Sequence, residues 1–127
     1  MSRLKDYWAA FSWAAFILII CLLPGEELPD INFWEIDIED KLAHVGVFGL
    51  LAILLVYGAH RRKLHEKPKY YFWVLIISGL FYGAMTEILQ GLLVPSRFAS
   101  FTDFIADATG TILGTIVAFW YFRNKGR

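Results

Sequence analysis

The chain has 127 residues, 57% hydrophobic and 17% aromatic, which is too apolar for a soluble domain of this size. Lys and Arg balance Asp and Glu at a net charge of zero, which says little by itself, because the charges are concentrated between apolar runs and their distribution is what informs. Cys21 is the single cysteine, so an internal disulfide is excluded and the residue reads as a small buried hydrophobe.

Four apolar stretches are predicted to be helices. The first covers about 7–23. Arg3 and Lys5 precede it, but the run ends in Pro24-Gly25-Glu26-Glu27 with no small-x-small cleavage site, so it reads as an anchored helix and not as a removed signal. An acidic connection follows, with Glu26, Glu27, Asp30, Glu35, Asp37, Glu39 and Asp40. Residues 31–38 within it mix apolar and acidic side chains and suit the membrane interface. The second helix is predicted over about 42–58, the third over about 70–94 and the fourth over about 104–122. A crossing needs ~20 residues, with a range of about 17–25, so the first two lie near the short limit.

Loop charge orients the four spans. Arg3 and Lys5, the run His60-Arg61-Arg62-Lys63 with Lys67 and Lys69, and Arg123, Lys125 and Arg127 make three basic segments, all expected in the cytoplasm. The acidic first connection, and the third connection with Arg97 as its one cation, are expected outside. Tyr7-Trp8, Tyr70-Tyr71, Trp73 and Trp120-Tyr121 then fall at cytoplasmic ends as an aromatic belt. The predicted fold class is an all-α membrane protein, a four-transmembrane-helix bundle with both termini inside, forming a single domain over 1–127.

Ionisable and amide residues within these spans all fall toward the outer face. Lys41 and His44 open the second stretch, Glu87 and Gln90 sit late in the third, and Asp103 and Asp107 open the fourth. A charge in hydrocarbon costs roughly 2.5–3.5 kcal/mol on insertion scales, so such a cluster is read as a candidate functional site. Helical spacing joins each group to a packing stripe: Gly79, Gly83 and Glu87 on the third helix, and Asp103, Asp107, Gly110, Thr111 and Gly114 on the fourth. Gly79-x-x-x-Gly83 and Gly110-x-x-x-Gly114 are small-xxx-small patterns, read as internal packing. The second helix is expected to pack against the third and fourth, with the first as an apolar flank. Glu87 is expected deepest, roughly 12 Å from the outer end at ~1.5 Å per residue, with His44 and Asp107 shallower. The inner halves read as apolar or aromatic, with no polar path continuing inward.

Lys41-Leu42-Ala43-His44 with Phe48 and Leu51, Glu87-Ile88-Leu89-Gln90, Arg97, and Asp103-Phe104-Ile105-Ala106-Asp107-Ala108-Thr109-Gly110 with Gly114 occur in the order and topology of the VanZ-like family of small bacterial membrane proteins, which this chain resembles over its last three spans. Such proteins usually carry an amide at the position of Asp107. The resemblance implies a multi-pass protein of the bacterial cytoplasmic membrane with a role in the cell envelope, and the family's name comes from resistance to the glycopeptide teicoplanin. It implies no settled reaction.

His44, Glu87 and Asp107 are the candidates for proton chemistry. Lys41, Gln90, Arg97 and Asp103 are the candidates for substrate binding. For each a structural role stays open beside the functional one: Glu87 as a paired acid, Gln90 as interhelical glue, Lys41 as a snorkelling side chain, Asp103 as a first-turn acid, Arg97 as a neutralising partner. A metal site from His44, Glu87 and Asp107 stays open but is weakly signalled, with one suitable histidine and no dense ligand motif, so none is assigned, and no cofactor motif is present. Ser96, Ser100 and Thr102 form no nucleophile elbow or triad, and no base-reading surface is present, so nucleic acid is not an expected partner. The expected partners are membrane lipids and an anionic lipid-linked or cell-wall-related molecule. Proton-coupled transport and a non-catalytic assembly role stay open as alternatives, as does the oligomeric state.

Overall fold

The structure is a computed structural model that describes residues 5–22, 38–61, 66–93 and 101–125. Among them are four α-helices and no strand: α1 (Trp8–Cys21), α2 (Ile38–His60), α3 (Pro68–Leu93) and α4 (Phe101–Lys125). The all-α class is as the sequence predicts, but the helix bounds differ. α2 starts at Ile38 and ends at His60, beyond both predicted ends, and α4 likewise overruns 104–122. Hydropathy falls at polar residues, whereas the backbone hydrogen-bond ladder does not need apolar side chains to continue. Asp103 is accommodated in the first turn of α4, where the partial positive charge of a helix N-terminus favours an acid. α3 opens on Pro68, a first-turn position where the missing N–H has no intrahelical partner to lose.

Three helices, Lys41–His60, Pro68–Leu93 and Phe101–Asn124, are long and apolar enough to cross a membrane. α1 has 14 residues, about 21 Å at 1.5 Å per residue against a hydrocarbon core of ~30 Å. Leu42, Ile77, Phe81, Ile88, Ile112 and Val117 point out of the bundle. That apolar exterior suits lipid far better than water.

The closest packing joins α2 to α4, and glycine permits it. A Cβ on Gly110 would stand 3.0 Å from the Gly49 nitrogen and closer still to the Val45 carbonyl oxygen, and one on Gly114 would stand 3.0 Å from Gly49 Cα. Both obstacles are backbone, which cannot rotate away. α3 then packs on α4 through Gly79 against Thr111 and Gly83 against Asp107, with Phe48 of α2 also beside Gly83. The small-xxx-small pairs therefore face neighbours within the same chain.

α1 is more than the apolar flank expected of it. Its Ala10 and Ile17 join Phe48 and Leu51 of α2 in one buried cluster. The Trp13 indole donates to the Val47 carbonyl at 2.9 Å, the Tyr82 hydroxyl donates to the Ala14 carbonyl, and the Gln90 amide donates to the Cys21 carbonyl at 3.0 Å. Each such bond contributes on the order of 0.6 kcal/mol in a membrane. Together they hold α1 at a fixed height, with Tyr7 against Gly58 at one end and Cys21 beside Gln90 at the other. A second apolar cluster of Val56, Ala59, Leu75, Ala118 and Phe119 fills the end that carries the basic connection. There the Arg61 side chain reaches Asp6 at 3.3 Å and the Tyr57 hydroxyl at 3.5 Å. The hydrogen bond to Tyr57, with the charge on Asp6 adding to it, raises the Arg61 pKa above its usual value.

Candidate membrane-embedded acid–histidine site

The polar residues converge at the opposite end. His44, Glu87 and Asp107 each stand six residues inside a helix end, counted from Ile38, Leu93 and Phe101. At 1.5 Å per residue that is about 9 Å of helix in each case. The expected difference in depth between Glu87 and the other two is therefore absent, because α2 and α4 begin earlier than hydropathy predicts. One ligating atom from each of the three lies within 4.8 Å of the others.

Glu87 and Asp107 form the floor of this cluster, with 5% and 1% of their surface exposed, so neither points at lipid. His44, Lys41 and Asp103 form a partly buried rim. His44 Nδ1 lies 2.6 Å from Asp107 Oδ1, within hydrogen-bonding distance, so the Nδ1–H tautomer donates to the carboxylate. The other ring nitrogen, Nε2, faces Asp103 Oδ2 at 3.8 Å. The Lys41 ammonium is ion-paired with Asp103 across 62 positions of sequence. Its candidate role in substrate binding thus coexists with a structural one.

Packing sets the direction of these side chains. Gly83 makes room for Asp107: a Cβ on residue 83 would come 3.2 Å from Asp107 Cβ and 3.6 Å from its Oδ2. Thr86, one residue before Glu87, turns its hydroxyl onto the Gly83 carbonyl at 2.9 Å and stays buried. Gln90 lies one turn beyond Glu87 on the buried face, where its amide serves Cys21 of α1. Arg97, the remaining sequence candidate, lies outside the described residues.

Two features go beyond the sequence reading. Thr111, which the sequence already places on the stripe, and Thr115, which it does not, follow Asp107 at four-residue steps along α4, 2% and 0% exposed, so polar groups do continue inward beneath the cluster. Threonine is common enough in membrane helices that only the Asp107-x-x-x-Thr111-x-x-x-Thr115 spacing could have signalled it. The Tyr82 and Trp13 donors to backbone carbonyls were also unread. A separate cavity of about 300 Å³, lined by Phe72, Phe119, Trp120, Arg123 and Asn124, lies at the far end of α4 and shares no residue with the cluster.

Chemically, the cluster offers an imidazole oriented by one carboxylate and adjacent to a second. That arrangement can hold and move a proton at Nε2, or bind a cation. Comparison with known proteins adds one finding: the family model described as VanZ/LLP1 matches residues 3–122. No curated protein and no solved structure matches the chain.

Proposed function

The chain belongs to the VanZ/LLP1 family, and from that membership together with the buried cluster we propose a multi-pass protein of the bacterial cytoplasmic membrane whose outward-facing pocket binds an anionic lipid-linked or cell-wall-related molecule. The observation that carries this reading is the meeting of His44, Glu87 and Asp107 from three helices, within 4.8 Å of one another and largely out of solvent. Ionisable groups at that depth are costly and persist where they serve a pathway or a site.

The outward orientation rests on charge. Lys5, Arg61, Lys67, Lys69 and Arg123 belong to the helix ends remote from the cluster, and positive charge marks the cytoplasmic side. Both termini are then inside and the cluster faces out. Lys41 at the rim, with Arg97 from the outer connection, supplies positive charge for an anionic group. His44 and Glu87 supply proton transfer, and Asp107 holds the imidazole in register. The phenotype to read is glycopeptide tolerance, which the family resemblance implies.

The test is a panel of Glu87→Gln, His44→Ala and Arg97→Ala at wild-type protein level. Each is expected to lower glycopeptide tolerance or alter the membrane lipid profile. If all three variants retain both, the binding-pocket reading is rejected.

Proton-coupled transport gains support from one observation, the buried Asp107, Thr111 and Thr115 line on α4. Vesicles containing the protein and showing no Glu87-dependent proton flux would remove it.

A further inference from the structure

We propose that His44, Glu87 and Asp107 form a divalent-cation site, of the kind that takes Zn²⁺ or Mn²⁺. The proposal rests on the pocket reading above and deepens it, because it says how a pocket floored by acids can accept an anionic ligand.

The donor set comes first. One imidazole nitrogen and two carboxylate oxygens arrive from α2, α3 and α4, each within 4.8 Å of the others. Ligands around a small four-coordinate metal at ~2.0–2.2 Å stand roughly 3.4 Å apart, so side-chain rotations that shift the oxygens by about 1 Å complete the set. Imidazole with carboxylate is a donor mixture that first-row divalent metals accept. Three protein ligands leave a coordination position open, as in catalytic sites and not in closed structural ones.

Charge is the second argument. Among the described side chains at this end, Glu87, Asp103 and Asp107 are acids and Lys41 is the one cation, already ion-paired with Asp103. With a neutral His44 these four side chains sum to two negative charges before any contribution from Arg97, in a place where Glu87 and Asp107 are at least 95% buried. Low dielectric makes such an excess costly, and a dication removes it. An acidic cluster on a surface has no such need, since water screens it.

Orientation of the imidazole is the third. Nδ1 already faces Asp107, and Nε2 faces Asp103 at 3.8 Å. Binding through Nδ1 uses the other neutral tautomer: the ring proton moves from Nδ1 to Nε2, the metal takes the Nδ1 lone pair, and Nε2–H is directed at Asp103. A ligating histidine held from behind by a carboxylate is the usual second layer of a protein metal site. Asp103 is thus a positioning residue, and its ion pair with Lys41 fixes it in turn. The open metal position faces the rim, where a phosphate or carboxylate of an anionic molecule would ligate it.

The test uses tag-free full-length protein in nanodiscs, stripped with chelator and titrated separately with Zn²⁺ and Mn²⁺. Calorimetry is expected to give one ion per chain, and Mn²⁺ electron paramagnetic resonance a bound spectrum that Zn²⁺ abolishes. Glu87→Gln, Asp107→Asn and His44→Ala should each weaken binding at least 100-fold. Asp103→Asn should weaken it about 10-fold, within the 10–100-fold range for second-layer partners. Metal-free melting of each variant identifies any that fails to fold, and binding is judged on those that melt as the wild type does. Wild-type protein that is folded yet binds less than a tenth of an equivalent of either ion overturns the proposal. So does undiminished binding in the folded variants. If chelated protein keeps full envelope function while Glu87→Gln abolishes it, the cation is rejected and the proton-transfer pocket stands.

Discussion

His44 and Asp107 meet from different helices across 63 positions of sequence, with Nδ1 and Oδ1 2.6 Å apart and the carboxylate almost completely buried. The pair fixes the rotation of α2 against α4 at the depth where Gly83 makes space for Asp107 on its other side. Register between two membrane helices is otherwise weakly specified, because lipid and protein are equally apolar and only shape and polar contacts discriminate. The same contact that orients the imidazole for chemistry therefore also aligns the bundle.

Asp107→Asn and Asp107→Leu should separate these two roles. An amide oxygen still accepts from Nδ1–H, and relatives in the resembled family usually carry an amide here, so Asp107→Asn is expected to accumulate and melt close to the wild type. Asp107→Leu leaves the His44 donor without that acceptor, at a cost of about 1–3 kcal/mol. Thermal melting in detergent is expected to rank wild type and Asp107→Asn well above Asp107→Leu. Equal melting of all three would show that the pair adds nothing to stability.

Gly110→Ala and Gly46→Ala make a matched test of helix approach. A methyl on Gly110 meets the Val45 and Gly49 backbone, while one on Gly46 meets nothing within 4 Å. Overpacking of this kind costs roughly 1–3 kcal/mol when the neighbours cannot move. Gly110→Ala is expected to unfold at markedly lower denaturant, and Gly46→Ala to behave as wild type or slightly better, given the higher helix propensity of alanine. The midpoint of unfolding in mixed micelles measures both.

How far the sequence was readable follows from which forces act at each residue. Glu87, Asp107 and His44 could be placed together because the high cost of charge in lipid turns them inward, and antiparallel threading sets their level. Gly110 and Gly114 could be read as a contact surface for the same reason, that small residues let backbones approach. The starts of α2 at Ile38 and α4 at Phe101 could not, since hydropathy reports the solvent a residue prefers and not whether its backbone is helical. That shift of a few residues moved His44 and Asp107 to the depth of Glu87. The anchoring of α1 was also hidden: its acceptors are the Ala14, Cys21 and Val47 carbonyls, and every residue has a carbonyl, so only the donors Tyr82, Gln90 and Trp13 leave any trace in the sequence.

Removing two of those donors gives a third prediction. Tyr82→Phe with Gln90→Leu deletes two bonds that hold α1, one at its middle on Ala14 and one at its end on Cys21, together about 1 kcal/mol at ~0.6 each. The bundle should stay folded while α1 loosens. Cys21 is partly buried and unique, so its reaction with a membrane-permeant maleimide reports on that end of the helix. The labelling rate is expected to rise several-fold in the double variant. An unchanged rate would mean that the Trp13–Val47 bond and the apolar contacts of Ala10 and Ile17 suffice to hold α1 in place.

Thr115 offers a prediction of opposite sign. Its side chain is 0% exposed, and its hydroxyl has no hydrogen-bond partner among the described residues. A buried hydroxyl without a partner costs roughly 1–3 kcal/mol, and valine fills almost the same volume without the polar atom. Thr115→Val should therefore raise the melting temperature if the residue serves packing alone. Helix propensity does not offset this, since both side chains are β-branched and similarly ranked. If the hydroxyl instead holds water along a line from Asp107 through Thr111, removing it should leave the melting temperature level or lower and reduce any proton flux through the protein. Measuring melting and flux on the same Thr115→Val preparation decides between a polar flaw in the core and a working step inward from the acid–histidine cluster.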